Sequence, residues 1–283
     1  MAINLVTKFL PYVDEIFTTE SKKALLTNDD FDWTGAHTIK VHKVNTVPMN
    51  DYRRIGSSGS GLSTSRYGDL GAVGNTIEEF TLKKDRSFTF VIDKLDKDET
   101  GNVLAGASAL ARQQREVIVP EVDSYTYGVM AEGAGTKVTD VTLTKDNIYD
   151  EIILGTEVLD NAEVPDVGRV LTVTPDVYRL MKKNPDLTLD CDITAEQKAK
   201  GVIAMVDGMD VIKIPKNRVP AKFGFMIAHP VATVAPTKLE DYKVHQDPPG
   251  ISGELVEGRI CYDAFILDNK KMAIYYHENK PAA

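Results

Sequence analysis

The side chains best suited to bind a metal or move a proton are five histidines, His37, His42, His229, His245 and His277, and they are scattered along the chain. His37 and His42 stand five positions apart in an alternating stretch. On a strand that spacing places them on opposite faces, which is poor geometry for sharing one ion. Asp186, Asp190, Asp192 and Glu196 gather carboxylates, but the Asp-x-Asp-x-Asp-Gly spacing of a calcium loop is missing. They read as a solvated acidic loop. The run Gly56-Ser57-Ser58-Gly59-Ser60-Gly61 does not end in Gly-Lys-Ser/Thr, so it does not cradle phosphates. Gly68, Gly71 and Gly74 precede no amphipathic helix, which argues against a dinucleotide turn. Neither cluster contains the Gly-x-Ser-x-Gly nucleophile elbow, and no pair of carboxylates stands out for acid–base work. Cys191 and Cys261, the only cysteines, read as small buried or half-buried apolar side chains. No catalytic, cofactor or metal residues are expected.

Composition is consistent with a large folded protein. The 283 residues are 42% hydrophobic, 27% charged and carry 13 prolines, which excludes bulk disorder. The formal charge of −9 argues against a protein that coats DNA through a strongly basic face. No run approaches the roughly 18 apolar residues of a membrane span. The start, Met1 to Lys8, lacks the pattern of a signal peptide, so synthesis and folding in cytoplasm are expected.

The elements follow from periodicity. Val13, Ile16, Phe17 and Ala24 keep helical spacing between Pro11 and Asn28-Asp29-Asp30. Such a helix is marginal alone, so its stripe must dock on its own body or on another subunit. Thr38–Val44 alternates as a strand, and a return strand is expected at Phe80–Lys83 and Ser87–Ile92. The glycine-rich, weakly apolar segment between them describes a long two-stranded excursion with a flexible tip, and such arms find a surface to lie on. The polar stretch Asp93–Thr100 introduces a long helix from about Asn102, with Pro120 kinking or interrupting it and Gly133-Ala134-Gly135 ending it. An α/β region follows. Thr144 caps a helix through Ile148, Ile152 and Leu159; Arg169–Thr174 is a strand; Pro175 opens a short helix, Asp176–Lys183. Strands at Val202–Val206 and Val211–Ile214 flank an Asp207-Gly208 turn, Phe225–Ala228 is another, and Glu254–Glu278 returns as long strands around Asp268-Asn269-Lys270.

Charge is segregated along the chain. Residues 40–92 carry eight basic against five acidic groups, whereas residues 93–163 carry six against fifteen. Either this is a chance asymmetry of a solvated surface, or a basic arm lies across the acidic helix of a neighbouring copy.

The element order, together with local text, resembles the major capsid protein of tailed bacteriophages with the HK97-type fold. Trp33-Thr34-Gly35-Ala36-His37-Thr38-Ile39-Lys40-Val41 leading to Asp51-Tyr52-Arg53-Arg54 is similar to the family's entry to its E-loop. Phe80–Phe88, followed by Ile92-Asp93-Lys94-Leu95-Asp96, is similar to the loop's exit into the spine helix. Pro120-Glu121-Val122-Asp123-Ser124-Tyr125 resembles the far end of that spine, and Val206–Ile212, Ile214-Pro215 and Tyr262–Leu267 resemble later parts of such coats.

The resemblance implies an α+β, HK97-like capsid fold with an N-terminal arm (1–35), an extended β-hairpin E-loop (36–92), and a P-domain spine helix with adjoining strand (93–143). An α/β A-domain (144–228) and a return to the P-domain through C-terminal strands (229–283) complete it. It implies a structural subunit, not an enzyme, that self-assembles as hexamers and pentamers into an icosahedral shell enclosing double-stranded DNA. Location in the virion capsid after assembly in the bacterial host cytoplasm, no membrane, and a portal as further partner come with it. Intersubunit contacts are expected from Arg53, Arg54 and Arg66 in the loop and from Val13, Ile16 and Phe17 in the arm. Two departures from relatives matter. No lysine lies between Lys43 and Lys83, so a covalent crosslink from the loop tip is not expected. Met1 leads directly into the arm, which implies a separate scaffolding protein and no cleavage. The alternatives are an encapsulin-like nanocompartment shell and, from another class, a two-domain hydrolase or ligand-binding protein.

Overall fold

Consecutive buried Val, Ile and Phe positions set the centre of the molecule, because a strand covered on both faces has no polar side to show. The computed structural model describes residues 20–28, 38–52, 67, 72–99, 105–187, 197 and 200–280. The chain divides into two compact units, one comprising Trp33–Leu82 and the other Met1–Asp32 with Lys83–Ala283.

The smaller unit is a hairpin. Strand β1 (Thr38–Val44) pairs antiparallel with β2 (Asn75–Thr81), Thr38 opposite Thr81 and Val44 opposite Asn75. Ion pairs of 2.5 Å join Lys40 to Glu79 and Lys43 to Glu78 across it. The sequence reading carried the return strand on to Ile92. In the structure the pairing with β1 ends at Thr81, and β3 (Lys84–Asp93) belongs to the larger unit. Alternation identifies the face of a strand and is silent about its partner.

In the larger unit β3 forms one edge of a three-stranded antiparallel sheet in the order β10 (Thr237–Gln246), β11 (Gly253–Tyr262), β3. The Asp-rich stretch does not simply lead into the long helix. Residues Lys94–Glu99 form a separate short helix, α1, whose start is held by Asp93 Oδ1 accepting from Leu95 N–H at 2.8 Å. The described part of the long helix comprises α2 (Gly106–Gln113), a π-helical turn at Gln114–Ile118, and α3 (Val119–Gly133). Pro120 was expected to disturb this helix, and the irregularity sits immediately before it. Proline has no N–H to donate, and the wider turn reroutes the bonding so that Val119 N–H reaches the carbonyl of Gln114.

A six-stranded mixed sheet forms the rest. Its order is β4 (Thr136–Val138), β13 (Ile274–Glu278), β8 (Phe223–Ala228), β5 (Val170–Val173), β7 (Met209–Lys213), β6 (Val202–Val206). Every residue of β5 and β8 is buried. Alternate side chains serve two layers. Val170, Met226, Ile274 and Tyr276 pack against Tyr127 and Met130 of α3. Leu171, Val173, Phe225 and Tyr275 pack beneath α4 (Ile148–Asn161) and α5 (Pro175–Met181). Gly155 lets α4 approach closely, since a Cβ there would lie 2.8 Å from Ile227 Cδ1 on β8 and 2.9 Å from Tyr275 Cδ1 on β13. The α4 helix begins at Ile148 rather than at the expected Thr144 cap; Thr144 and Asn147 instead close the preceding turn with reciprocal hydrogen bonds. Asp207 and Gly208, with φ of 48° and 77°, make the β6–β7 turn, as the Asp-Gly pair predicts. Two short strands, β9 (Thr233–Val234) and β12 (Phe265–Ile266), pair separately.

Candidate functional site

The side chains that organise this molecule are polar groups at junctions between elements. Asp263, at the end of β11 and only 2% exposed, accepts from Lys83 N–H at 2.8 Å through Oδ2. Its Oδ1 accepts from Tyr125 O–H at 2.6 Å and from Ala264 N–H at 2.8 Å. One carboxylate therefore fixes the first residue after the hairpin unit, the long helix and the β11 turn. Burial and the Asp263 carboxylate hold the Tyr125 phenol well above its ordinary pKa. Beside it Glu121 accepts from Arg86 at 2.8 Å and from Tyr262 at 3.2 Å, and the Tyr262 phenol is pushed up to about 12, chiefly by burial and then by Glu121.

The start of the same helix is held from the sheet. Glu254 on β11 accepts from Gly106 N–H at 2.6 Å and from Lys97 at 2.5 Å, so a buried helix end gains a carboxylate cap from a residue distant in sequence. These bonds, Lys97 first, keep the Glu254 carboxyl below the usual range. Gly106 admits this approach: a Cβ would meet Glu254 Oε2 at 2.6 Å.

The segment 20–28 is bound to the larger unit. Ser21 Oγ donates to Asp123 Oδ1 at 2.5 Å, and the other oxygen of Asp123 accepts from Arg218 at 2.9 Å. The Asp123 and Arg218 side chains are 2% and 3% exposed, a buried ion pair. Lys22 donates to the carbonyls of Gly201 and Lys213, Leu26 is fully buried, and Asn28 bridges to Val234. Of the helix expected between Pro11 and Asn28 only residues 20–28 are described, and there Lys23–Leu25 form a turn of 3₁₀-helix.

Exposed apolar side chains concentrate on the hairpin unit. Met49 is 99% exposed, and Val44, Tyr52, Tyr67, Val73 and Ile77 are all more than half exposed. Tyr52 and Tyr67 meet edge to face with ring centres 5.2 Å apart. Arg53, Arg54 and Arg66, expected to make the loop contacts, and Val13, Ile16 and Phe17, expected for the arm, lie outside the described residues, as do His37, Cys191, Asp190, Asp192 and Glu196. Part of the segregated charge is consumed within one chain: Lys40 and Lys43 pair inside the hairpin, and Arg86 pairs with Glu121 on the long helix. Cys261 is a half-buried free thiol. Among the described residues no three His, Cys, Asp or Glu side chains gather around a common point, and no helix is long and apolar enough to cross a membrane. A surface groove of about 560 Å³ beside α1, lined by Asp93, Lys94, Leu95, Lys97, Asp98 and Ser252, offers neither histidine nor cysteine.

Sequence reasoning missed Glu254 and Arg218, whose partners lie 148 and 95 residues away. The text Pro120–Tyr125, expected at the far end of the spine, lies instead near the middle of the helix over 106–133, which continues to Gly133; there Glu121, Val122, Asp123 and Tyr125 all face other elements.

No family model and no curated protein matches this sequence. Solved structures match over the whole chain. The mature capsid asymmetric unit of bacteriophage PhiM1 aligns with a TM-score of 0.71 at 14% identity, covering 99% of this chain and 93% of that one. The capsid structure of cyanophage P-SCSP1u gives 0.70 at 13% identity, covering 99% and 94%. A chain of Mycobacterium phage Che8 gives 0.65 at 18% identity, covering 98% of each. The chain has the fold of phage capsid subunits. In this capsid fold the carboxylates Asp123, Glu254 and Asp263 tie together the helix, sheet and N-terminal segment of the larger unit. The match at 18% identity or less shows that such an arrangement of elements tolerates near-complete replacement of its residues.

Proposed function

We propose that this chain is the major capsid subunit of a tailed bacteriophage, a structural protein without catalysis. It assembles with copies of itself, as pentamers and hexamers, into an icosahedral shell enclosing double-stranded DNA. The observation that carries this reading is coverage: capsid structures align over 99% of this chain and 93–94% of theirs, so the likeness is to an entire subunit rather than to a shared module. In this reading the Trp33–Leu82 unit is the E-loop, the interrupted helix over 106–133 is the spine of the P-domain, and the six-stranded sheet with α4 and α5 is the A-domain. The exposed apolar hairpin supports it, because Met49 and its neighbours gain a cover once a neighbouring copy lies beneath them. Arg53, Arg54 and Arg66 would then meet acidic groups of that copy, and Val13, Ile16 and Phe17 would grip another. A portal and a separate scaffolding protein complete the partners. The net charge of −9 fits a shell whose contents must not adhere to it.

Negative-stain microscopy and sedimentation of the purified chain test the reading, and closed shells are the expected outcome. A variant in which residues 46–73 are replaced by a two-residue Asn-Gly turn retains the β1–β2 register and should stay folded without forming shells. A full-length chain that remains monomeric at all salt and scaffold conditions would overturn it.

A further inference from the structure

The layer formed by α4 and α5 is charged oppositely at its two sides. Residues 146–166 hold seven acidic groups and no basic one. Of these, Asp160 and Asp166 are held by Arg169, Asp146 lies near Lys145, and Glu151 faces His277. Asp150 and Glu157 make no ion pair among the described residues. On the α4 surface they bracket Ile153 and Leu154, which are 41% and 48% exposed although the opposite stripe, Ile152, Gly155 and Leu159, is buried. The helix thus has a second apolar patch that the described residues leave partly exposed.

The α5 side is basic. Arg179, Lys182 and Lys183 are exposed there, joined by Lys213 of β7, and the Lys182 and Lys213 ammonium groups lie 5.1 and 5.7 Å from the ring centre of half-buried Tyr178. Arg179 and Lys183 make no ion pair among the described residues. In the sheet order α4 sits over β8 and β13, whereas α5 adjoins β7, so the acidic and basic groups lie over different strands of one sheet.

We propose that within a capsomer ring the acidic α4 surface of one copy seats on the basic α5 surface of the next, Ile153 and Leu154 against the Tyr178 region, with the charges as a rim. This rests on the self-assembly reading above and names the surfaces through which ring neighbours meet. The occupant follows from charge: a two-fold contact would set acid against acid, whereas a head-to-tail contact sets acid against base at every junction and closes a ring when the rotation permits.

Charge reversal tests the pairing. One variant carries Asp150→Lys and Glu157→Lys, the other Arg179→Glu and Lys183→Glu. All four positions are exposed, so both variants should match the unmodified subunit in circular dichroism and unfolding midpoint. Each alone should lose its ring and shell species in native mass spectrometry and microscopy at low salt, and the variant with all four changes should regain them. Mixing the two single-surface variants should give rings with even numbers of subunits only, since unlike surfaces then alternate around the ring. Three results would overturn the pairing: normal assembly of either reversed variant, failure of both the mixture and the fourfold variant, or a base-reversed variant that assembles normally but loses DNA retention, which would make nucleic acid the occupant. An unmodified chain that forms no assemblies removes the function reading, and this pairing with it; unmodified shells alongside unaffected variants remove the pairing alone.

Discussion

Asp123 and Arg218 exchange a 2.9 Å ion pair out of contact with water, and Ser21 occupies the remaining carboxylate oxygen. Removing one partner of such a pair strands the other charge, at a cost of about 3–5 kcal/mol. Arg218→Met should therefore lower the urea midpoint of the subunit strongly, and adding Asp123→Leu should recover much of the loss. A small effect of Arg218→Met would mean that water reaches Asp123. A second buried group makes a prediction in pH. His277 on β13 is fully buried, stacks on Phe225 at 4.9 Å and lies 3.4 Å from Glu151 Oε2. Burial lowers its pKa from the ordinary 6.5, against the pull of Glu151. The unfolded chain then binds the proton more readily than the native one, so stability is lost as pH falls from 6.5 through the lower folded value. His277→Phe should flatten the unfolding midpoint over that window, and an unchanged slope would assign the acid sensitivity to other groups.

At the scale of elements, residues 20–28 are the described part of the N-terminal segment and are bound to the body. Residues 20–28 are held by Ser21, Lys22, Leu26 and Asn28, so removing residues 1–19 should leave the unfolding midpoint of the subunit unchanged while blocking shell formation. Removing residues 1–28 also deletes fully buried Leu26, and truncations of this kind cost about 2–5 kcal/mol, so that variant should be visibly destabilised. Equal stability of the two truncations would show that the root contributes nothing to the body. The strands of the six-stranded sheet were legible because Val170–Val173, Val202–Val206 and Phe223–Ala228 are short runs dense in β-branched and aromatic residues. Strand β10 was not, because Lys238, Glu240, Asp241 and Lys243 give it the charged character of an edge strand. The base of the hairpin was overextended for a related reason, since Phe88, Phe90 and Ile92 alternate equally well whichever strand they join. The polar junctions at Glu254, Arg218 and Asp263 had no local signal, as each joins residues far apart in sequence.

For the whole molecule, the fold class and the order of its elements could be read from one sequence, whereas the meeting of distant segments could not. Assembly without covalent links from the loop is the expectation for the proposed shell. Residues 44–82, which include the tip of the hairpin, contain no lysine, so no isopeptide donor lies where a neighbour would be reached. Shells boiled in denaturing gel buffer should run as a single band at 31.2 kDa, and a ladder of multiples would show a crosslink formed from elsewhere in the chain.

The pairing of β3 with β11 has a consequence in time. Asp93 lies opposite Gly253 and Lys84 opposite Tyr262, separations of about 160–180 residues. At synthesis rates of about 5–20 residues per second, β3 leaves the ribosome roughly 8–35 s before the strand that completes its sheet. Throughout that interval Phe88, Phe90 and Ile92 have neither β11 nor the finished sheet to cover them. The nascent chain therefore presents an aggregation-prone edge, and its yield should depend on a chaperone that holds this strand. A ribosome-bound chain halted at residue 250 should accordingly be captured by such a chaperone, whereas the full chain released from the ribosome, with β11 free to pair, should not.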